Sequence, residues 1–137
     1  MSLEKLIFFD SMGDDRGTLI SLEQNKNIPF DIKRVYYIFG TQPGVERGFH
    51  AHKNLQQAAV CVSGSCDMLL DDGHEKEIIT LDSPNKGLII GSMIWREMRN
   101  FSQDCVLLVL ASDIYKESDY IRDYQEFITA AKLNHDS

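Results

Sequence analysis

The turn residues of this 137-residue chain fall so regularly that few architectures are open to it. Short runs rich in apolar, β-branched and aromatic residues occupy 6–9, 18–22, 33–39, 56–62, 66–70, 77–81, 88–90, 93–98 and 106–111. Gly, Pro, Asn and Asp separate them, as they separate strands. Asp72-Gly73, between two such runs, is a hairpin signal. Residues 11–17 read as a polar turn. With a further strand around 47–53, the pattern predicts about ten short strands, an all-β barrel or sandwich. From Ser118 the period changes. Ile121, Tyr124, Phe127, Ile128 and Ala131 recur at three- and four-residue spacings, which predicts a C-terminal amphipathic helix capped by Ser118 or Asp119. Residues 134–137 are expected to fray. A hydrophobic fraction of 43% over this length suits one domain spanning 1–137, and no repeat or linker interrupts it.

Charge narrows the partners. Lys and Arg number 14 against 21 Asp and Glu, a formal net charge of -7. A general nucleic-acid binder needs a basic face, so that class is excluded. A local basic pocket for one anionic ligand is not, and Arg16, Lys33, Arg34, Arg47, Lys53, Arg96 and Arg99 are available to build one. There is no long apolar run to span a membrane. The apolar stretch near the N-terminus is short and ends at Asp10, unlike a secretory leader. Cys61, Cys66 and Cys105 are odd in number and form no C-x-x-C, which predicts buried free thiols in a reducing cytoplasm. An apolar strand at 6–9 left at a sheet edge would need cover, and pairing with a second copy in a homodimer would supply it.

The chemistry concentrates in Arg47-Gly48-Phe49-His50-Ala51-His52-Lys53. In an extended strand alternate side chains share a face, so His50 and His52 sit side by side. Over 33–39 the same alternation puts Arg34, Tyr36 and Ile38 on one face and Val35, Tyr37 and Phe39 on the other. Two imidazoles suit a metal site or acid–base work. The spacing from Gly44 through His50 and His52 to Gly64 resembles the first motif of cupin jelly-roll barrels, G-x5-H-x-H-x(3,4)-E-x6-G. Here Gln57 takes the carboxylate position, or Gln56 if the shorter spacing is used. The cupin second motif sets a His four residues before an Asn. Asn100 fits, but Arg96 stands where the His belongs. A guanidinium has no lone pair for a metal, and a catalytic metal usually needs three protein ligands. The reading is therefore a metal-free pair, with no cofactor. A Gly-rich dinucleotide fingerprint is also missing.

Four blocks then resemble one family: Arg34 to Phe39, Arg47 to Lys53, Leu81-Asp82-Ser83-Pro84 and Ser118 to Arg122. In this order they are similar to the nucleotide-sugar 3,4-ketoisomerases, the WxcM-like FdtA/QdtA group. The resemblance covers nearly the whole chain. It implies a cupin-type jelly roll with a C-terminal helix, a metal-independent homodimer, and conversion of dTDP-4-keto-6-deoxy-D-glucose to its 3-keto isomer for deoxyamino-sugar and surface-glycan synthesis. It further implies that His50 removes the C3 proton and His52 shuttles protons at the oxygens. Tyr36 would hold the sugar, with Tyr37 as the alternative if strand parity reverses. Arg47 would meet the pyrophosphate or the developing oxyanion, with Arg34, Arg96, Asn100 and Lys53 as further substrate contacts. Many members carry His where this chain has Arg96, which bears on the C4 stereochemistry of the product. Rival readings are a 3,5-epimerase-like enzyme on the same fold, a non-catalytic sugar-nucleotide-binding cupin and a metal-dependent dioxygenase.

Overall fold

A computed structural model describes residues 5–135. The strands are β1 (Leu6–Phe8), β2 (Met12–Asp14), β3 (Gly17–Leu19), β4 (Arg34–Ile38), β5 (Arg47–His52), β6 (Gln57–Ser63), β7 (Cys66–Asp71), β8 (Lys76–Leu81), β9 (Lys86–Ile90), β10 (Trp95–Arg99), β11 (Val106–Ala111) and β12 (Tyr120–Ile121), followed by helix α1 (Tyr124–His135). One sheet has the order β1-β9-β6-β11-β4 and the other β12-β5-β10-β7-β8. The named strands pair antiparallel throughout. Apart from the β2–β3 and β7–β8 hairpins, strands consecutive in the chain lie in different sheets, the all-β jelly-roll arrangement that the turn spacing predicts.

Alternation decides what each sheet buries. Met68, Leu70, Leu81, Leu88 and Leu107 form the main apolar cluster with Cys61, Cys66 and Cys105. A second cluster joins Phe9, Ile28 and Phe30 to Ala58, Val60 and Leu110 on the other face of the first sheet. The third seats α1, packing Phe127 and Ala131 against Ala51, Trp95 and Ile121. The Tyr124 hydroxyl donates to Asp71 Oδ2 at 2.5 Å and anchors the start of the helix. Among the described residues no helix is long and apolar enough to cross a membrane.

Two boundaries differ from the sequence expectation. Residues 12–19 form the β2–β3 hairpin, so most of the turn expected at 11–17 is paired strand, although all six strand residues are exposed. With no apolar face to bury, this hairpin has no alternation to betray it. The helix begins at Tyr124, not near Ser118. Glu117–Asp119 is a 3-10 turn, and Tyr120–Ile121 pair with His52 and Ala51 as β12. Ile121 continues the helical period by three residues, yet it is buried by the sheet. Asp123 begins the helix: its carboxylate accepts the Glu126 N–H at 2.9 Å, and its carbonyl accepts that of Phe127. The helix continues through His135, past the expected start of fraying. Residues 136–137 of that tail, and 1–4 of the expected non-leader segment, lie outside the described residues.

Candidate active site

β5 is not a uniform strand. Gly48 has φ of 92° and Phe49 φ of 59°. A Cβ at Gly48 would lie 2.9 Å from the Arg96 carbonyl, so only glycine admits β10 this closely. The register between β5 and β10 shifts between Arg96 and Glu97, a bulge that sets His50 directly across from Arg96. Beyond the bulge β5 is extended. His52 pairs with Tyr120, and its carbonyl accepts the Met93 N–H at 2.7 Å. The two imidazoles meet as alternation requires, edge to face with centroids 5.0 Å apart. Tyr120 packs on both, 5.0 Å from the His50 ring and 4.3 Å from that of His52.

Each imidazole is oriented through Nδ1. That of His50 lies 3.1 Å from the Gly48 carbonyl, and that of His52 lies 3.1 Å from Asp119 Oδ2. Both partners are acceptors, so both neutral rings carry their proton on Nδ1 and keep the Nε2 lone pair. His52 Nε2 is buried without a hydrogen-bond partner. Burial first, then the Arg96 guanidinium, pull His50 from 6.5 down to about 4. The same causes, with His50 added, lower His52 also, while Asp119 opposes them. At neutral pH both rings are therefore uncharged and able to accept a proton at Nε2.

Arg96 occupies the position that would complete a cupin metal site. It is 2% exposed. Its Nε and one terminal nitrogen donate to the Ile94 carbonyl, each at 3.1 Å, and the other donates to Gln57 Oε1. The Gln57 amide nitrogen then donates to the Tyr36 hydroxyl at 3.0 Å. Since arginine only donates, Gln57 must present its oxygen to Arg96 and its amide to Tyr36. The Tyr36 proton is left for another acceptor. Burial holds Tyr36 above the ordinary tyrosine range and protonated. Burial also lowers Arg96, to about 10, which leaves it charged at neutral pH. Gln57, not Gln56, is the residue at the cupin carboxylate position that faces the site, because Gln56 is exposed.

A cavity of about 260 Å³ opens beside His52. Its walls include Arg34, Lys33, Asn54, Lys116, Asp119 and Tyr120. The Arg34 guanidinium stands 4.5 Å over the Tyr36 ring and 5.4 Å from that of Tyr115. Arg122 lies 4.2 Å over Tyr120 and forms an ion pair with Glu117 at 2.7 Å. The segment from Tyr115 to Arg122 is thus tied to itself and to the histidines at the cavity wall.

Of the sequence-predicted residues, His52 and Arg34 line the cavity, and His50, Tyr36 and Arg96 adjoin them, His50 against His52, Tyr36 beneath Arg34 and Arg96 across from His50. Four others do neither. Tyr37 is 61% exposed, on the outer face of β4 beside Phe39, because strand parity assigns only Tyr36 inward. Asn100 follows the end of β10 and donates to Asp67 Oδ2 on the outer side of the second sheet. Arg47 precedes the bulge, is exposed, and is not part of the cavity wall; the Gly48–Phe49 break in extended geometry separates its orientation from that of His50. Lys53 is exposed and donates to the Ser118 carbonyl, so it tethers the wall segment rather than lining the cavity. The sequence reading missed Asp119 and Tyr120 as site residues. Their block was recognisable, but the helical period running through Ile121 assigned it to the helix.

Comparison with known proteins finds close relatives over nearly the whole chain. The family model described as FdtA: WxcM-like, C-terminal matches residues 2–132. A TDP-4-oxo-6-deoxy-alpha-D-glucose-3,4-oxoisomerase of Aneurinibacillus thermoaerophilus is 58% identical over 131 residues, which are 95% of this chain and 94% of that protein. A 3,4-ketoisomerase from Helicobacter canadensis superposes with a TM-score of 0.92 at 53% identity, covering 94% of this chain and 97% of the other. A histidine-to-asparagine mutant of QdtA, a 3,4-ketoisomerase from Thermoanaerobacterium thermosaccharolyticum in complex with TDP-4-keto-6-deoxyglucose, gives 0.94 at 45% identity, covering 97% and 96%.

Proposed function

This chain belongs to the FdtA, WxcM-like family, and from that membership and the site geometry we propose that it isomerises a TDP-linked 4-keto-6-deoxy sugar to the 3-keto form. The observation that carries the reading is the pair of imidazoles, each held through Nδ1 and each with a free Nε2 lone pair, beside a buried guanidinium. The reaction needs little else. The C4 carbonyl acidifies the C3 hydrogen. A neutral base at C3 removes it and leaves an enediolate, a proton passes from the C3 oxygen to the C4 oxygen, and C4 then takes up a proton. No electrons leave the substrate.

In this reading His50 takes the C3 proton. His52 relays protons at the oxygens, because Asp119 stabilises its transient imidazolium. Arg96 supplies fixed positive charge for the enediolate without itself giving up a proton. Tyr36 donates to a sugar oxygen, held in place by Gln57. Arg34 and Lys33, on the cavity wall, replace Arg47 as the groups that meet the diphosphate. The exposed Val35, Tyr37 and Phe39 face of the β4 edge supports a homodimer through that edge rather than through β1.

The test is NMR of the product formed from TDP-4-keto-6-deoxyglucose in deuterated water. Deuterium at C4 of a 3-keto sugar is the expected result. Incorporation at C3 and C5 with the 4-keto group retained would mark an epimerase, and binding without turnover a non-catalytic module. His52→Asn should still exchange the C3 hydrogen while losing product. His50→Asn should lose both, and the reverse pattern would exchange the two roles.

A further inference from the structure

The proposed reaction leaves one cluster of nucleophilic groups unused. Cys61 ends the buried run of β6, Cys66 opens β7, and Cys105 immediately precedes β11. All three are free and buried. Cys61 Sγ lies 3.5 Å from Cys66 Sγ and 3.7 Å from Cys105 Sγ, and the three sulfurs fall within 4.8 Å of one another. Sulfurs sharing one soft ion at about 2.3 Å sit roughly 3.5–4 Å apart. Three strand ends from two sheets thus hold thiols at the spacing of a three-coordinate soft centre.

We propose that Cys61, Cys66 and Cys105 form a binding site for trivalent arsenic, taken up as arsenite. The surroundings select that occupant. The thiols belong to the same apolar cluster as Met68, Leu81 and Leu107. Three thiolates around a zinc or cuprous ion would leave one or two net negative charges in that core, which is costly. Arsenous acid avoids this. Three As–O and three S–H bonds break, three As–S bonds form, and three waters leave. Arsenic stays trivalent, and the complex is neutral. The protonation of the site fits the same chemistry. Hydrogen bonding to Cys66 and burial push the Cys61 thiol up, and burial with the neighbouring Cys61 pushes Cys105 up to about 12. Thiols that stay protonated disfavour a cation that must displace protons, but they condense with arsenous acid without releasing any.

Access is short. The half-buried turn Ser63–Gly64–Ser65 covers the cluster, and a Cβ on Gly64 would lie 2.8 Å from the Cys105 Cα. Local opening of that turn exposes the sulfurs. Cys61 is four residues from Gln57 along β6, roughly 13 Å, so occupancy does not compete for the sugar cavity.

The test uses the full chain, reduced with a phosphine and incubated with arsenite. Native mass spectrometry should show one arsenic per chain with three hydrogens lost. X-ray absorption should count three As–S bonds, and the melting temperature should rise by several degrees as ligand saturates the folded state. Zn²⁺ at the same concentration should give no such rise. Cys61→Ser, with circular dichroism to verify its fold, should no longer retain arsenic through desalting. No retained arsenic, an arsenic with only two sulfurs, preferential stabilisation by Zn²⁺, or undiminished uptake by Cys61→Ser would each overturn the proposal. Should Cys61→Ser not fold, the sulfur count in the parent protein decides by itself.

Discussion

Gln57 and Cys61, at the two ends of the buried run of β6, are buried to nearly the same degree, yet burial does opposite work at each. At Gln57 the strand meets Arg96 and Tyr36, and hydrogen bonds join the three polar side chains. At Cys61, four residues on, it meets Met68, Leu107 and the other cysteines. At the apolar end, removal from water stabilises the fold by roughly 25 cal/mol per Å² of apolar surface. At the polar end, the same removal costs free energy, which the hydrogen bonds among Arg96, Gln57 and Tyr36 offset in part, while His52 Nε2 stays unpaired. The residual imbalance lowers the histidine pKa values. The fold holds the site at one end of a strand whose other end holds the fold.

That contrast makes four expectations, and the largest concerns catalysis without stability. His50→Asn should lower kcat by about 10²–10⁴-fold, the range for a general base, with an unfolding midpoint close to the parent; product NMR and a urea titration measure the two. A comparable loss of stability would show that the polar end also carries the fold. Next is the converse. Leu107→Ala, in the apolar cluster, should cost about 2–5 kcal/mol in urea unfolding and leave turnover per folded molecule unchanged.

Gln57→Leu tests the network itself. It removes the acceptor of a buried guanidinium and the donor to Tyr36 together, and should destabilise by about 1–3 kcal/mol while also lowering kcat. A variant as stable as the parent would mean that Arg96 finds another acceptor. The last expectation is pH dependence. In the unfolded chain the histidines titrate near 6.5, and in the folded chain His50 titrates at about 4 and His52 is likewise lowered. Between those values the unfolded state binds more protons. Stability is therefore fully present above about 6.5 and falls as the pH drops toward 4. Arg96→Met removes the second-largest cause of that lowering, so both pKa values should rise. NMR titration of the imidazoles, and a shallower loss of stability over the same window, would register it; unchanged pKa values would leave burial as the whole cause.

Much of this was legible in the chain before any coordinates. Turn spacing and alternation gave the all-β class, the shared face of Arg34 and Tyr36 on β4 though not which face points inward, and the adjacency of His50 and His52. These features depend on neighbours in sequence, where a period of two is enough. The substitution of Gln57 and Arg96 into a cupin pattern was equally visible, since it is a matter of residue type at a known spacing. Local pattern failed where the deciding contact is long-range. Asp119 and Tyr120 lie more than sixty residues from the histidines that they orient, and the period through Ile121 mimics a helix because burial, whether by a helix or a sheet, selects the same side chains. Arg47 looked like a neighbour of His50 until the Gly48–Phe49 bulge changed the strand's direction. The three cysteines carry no spacing motif at all. Only the meeting of strand ends from two sheets places their sulfurs together, because tertiary packing brings side chains into register that the covalent chain keeps far apart.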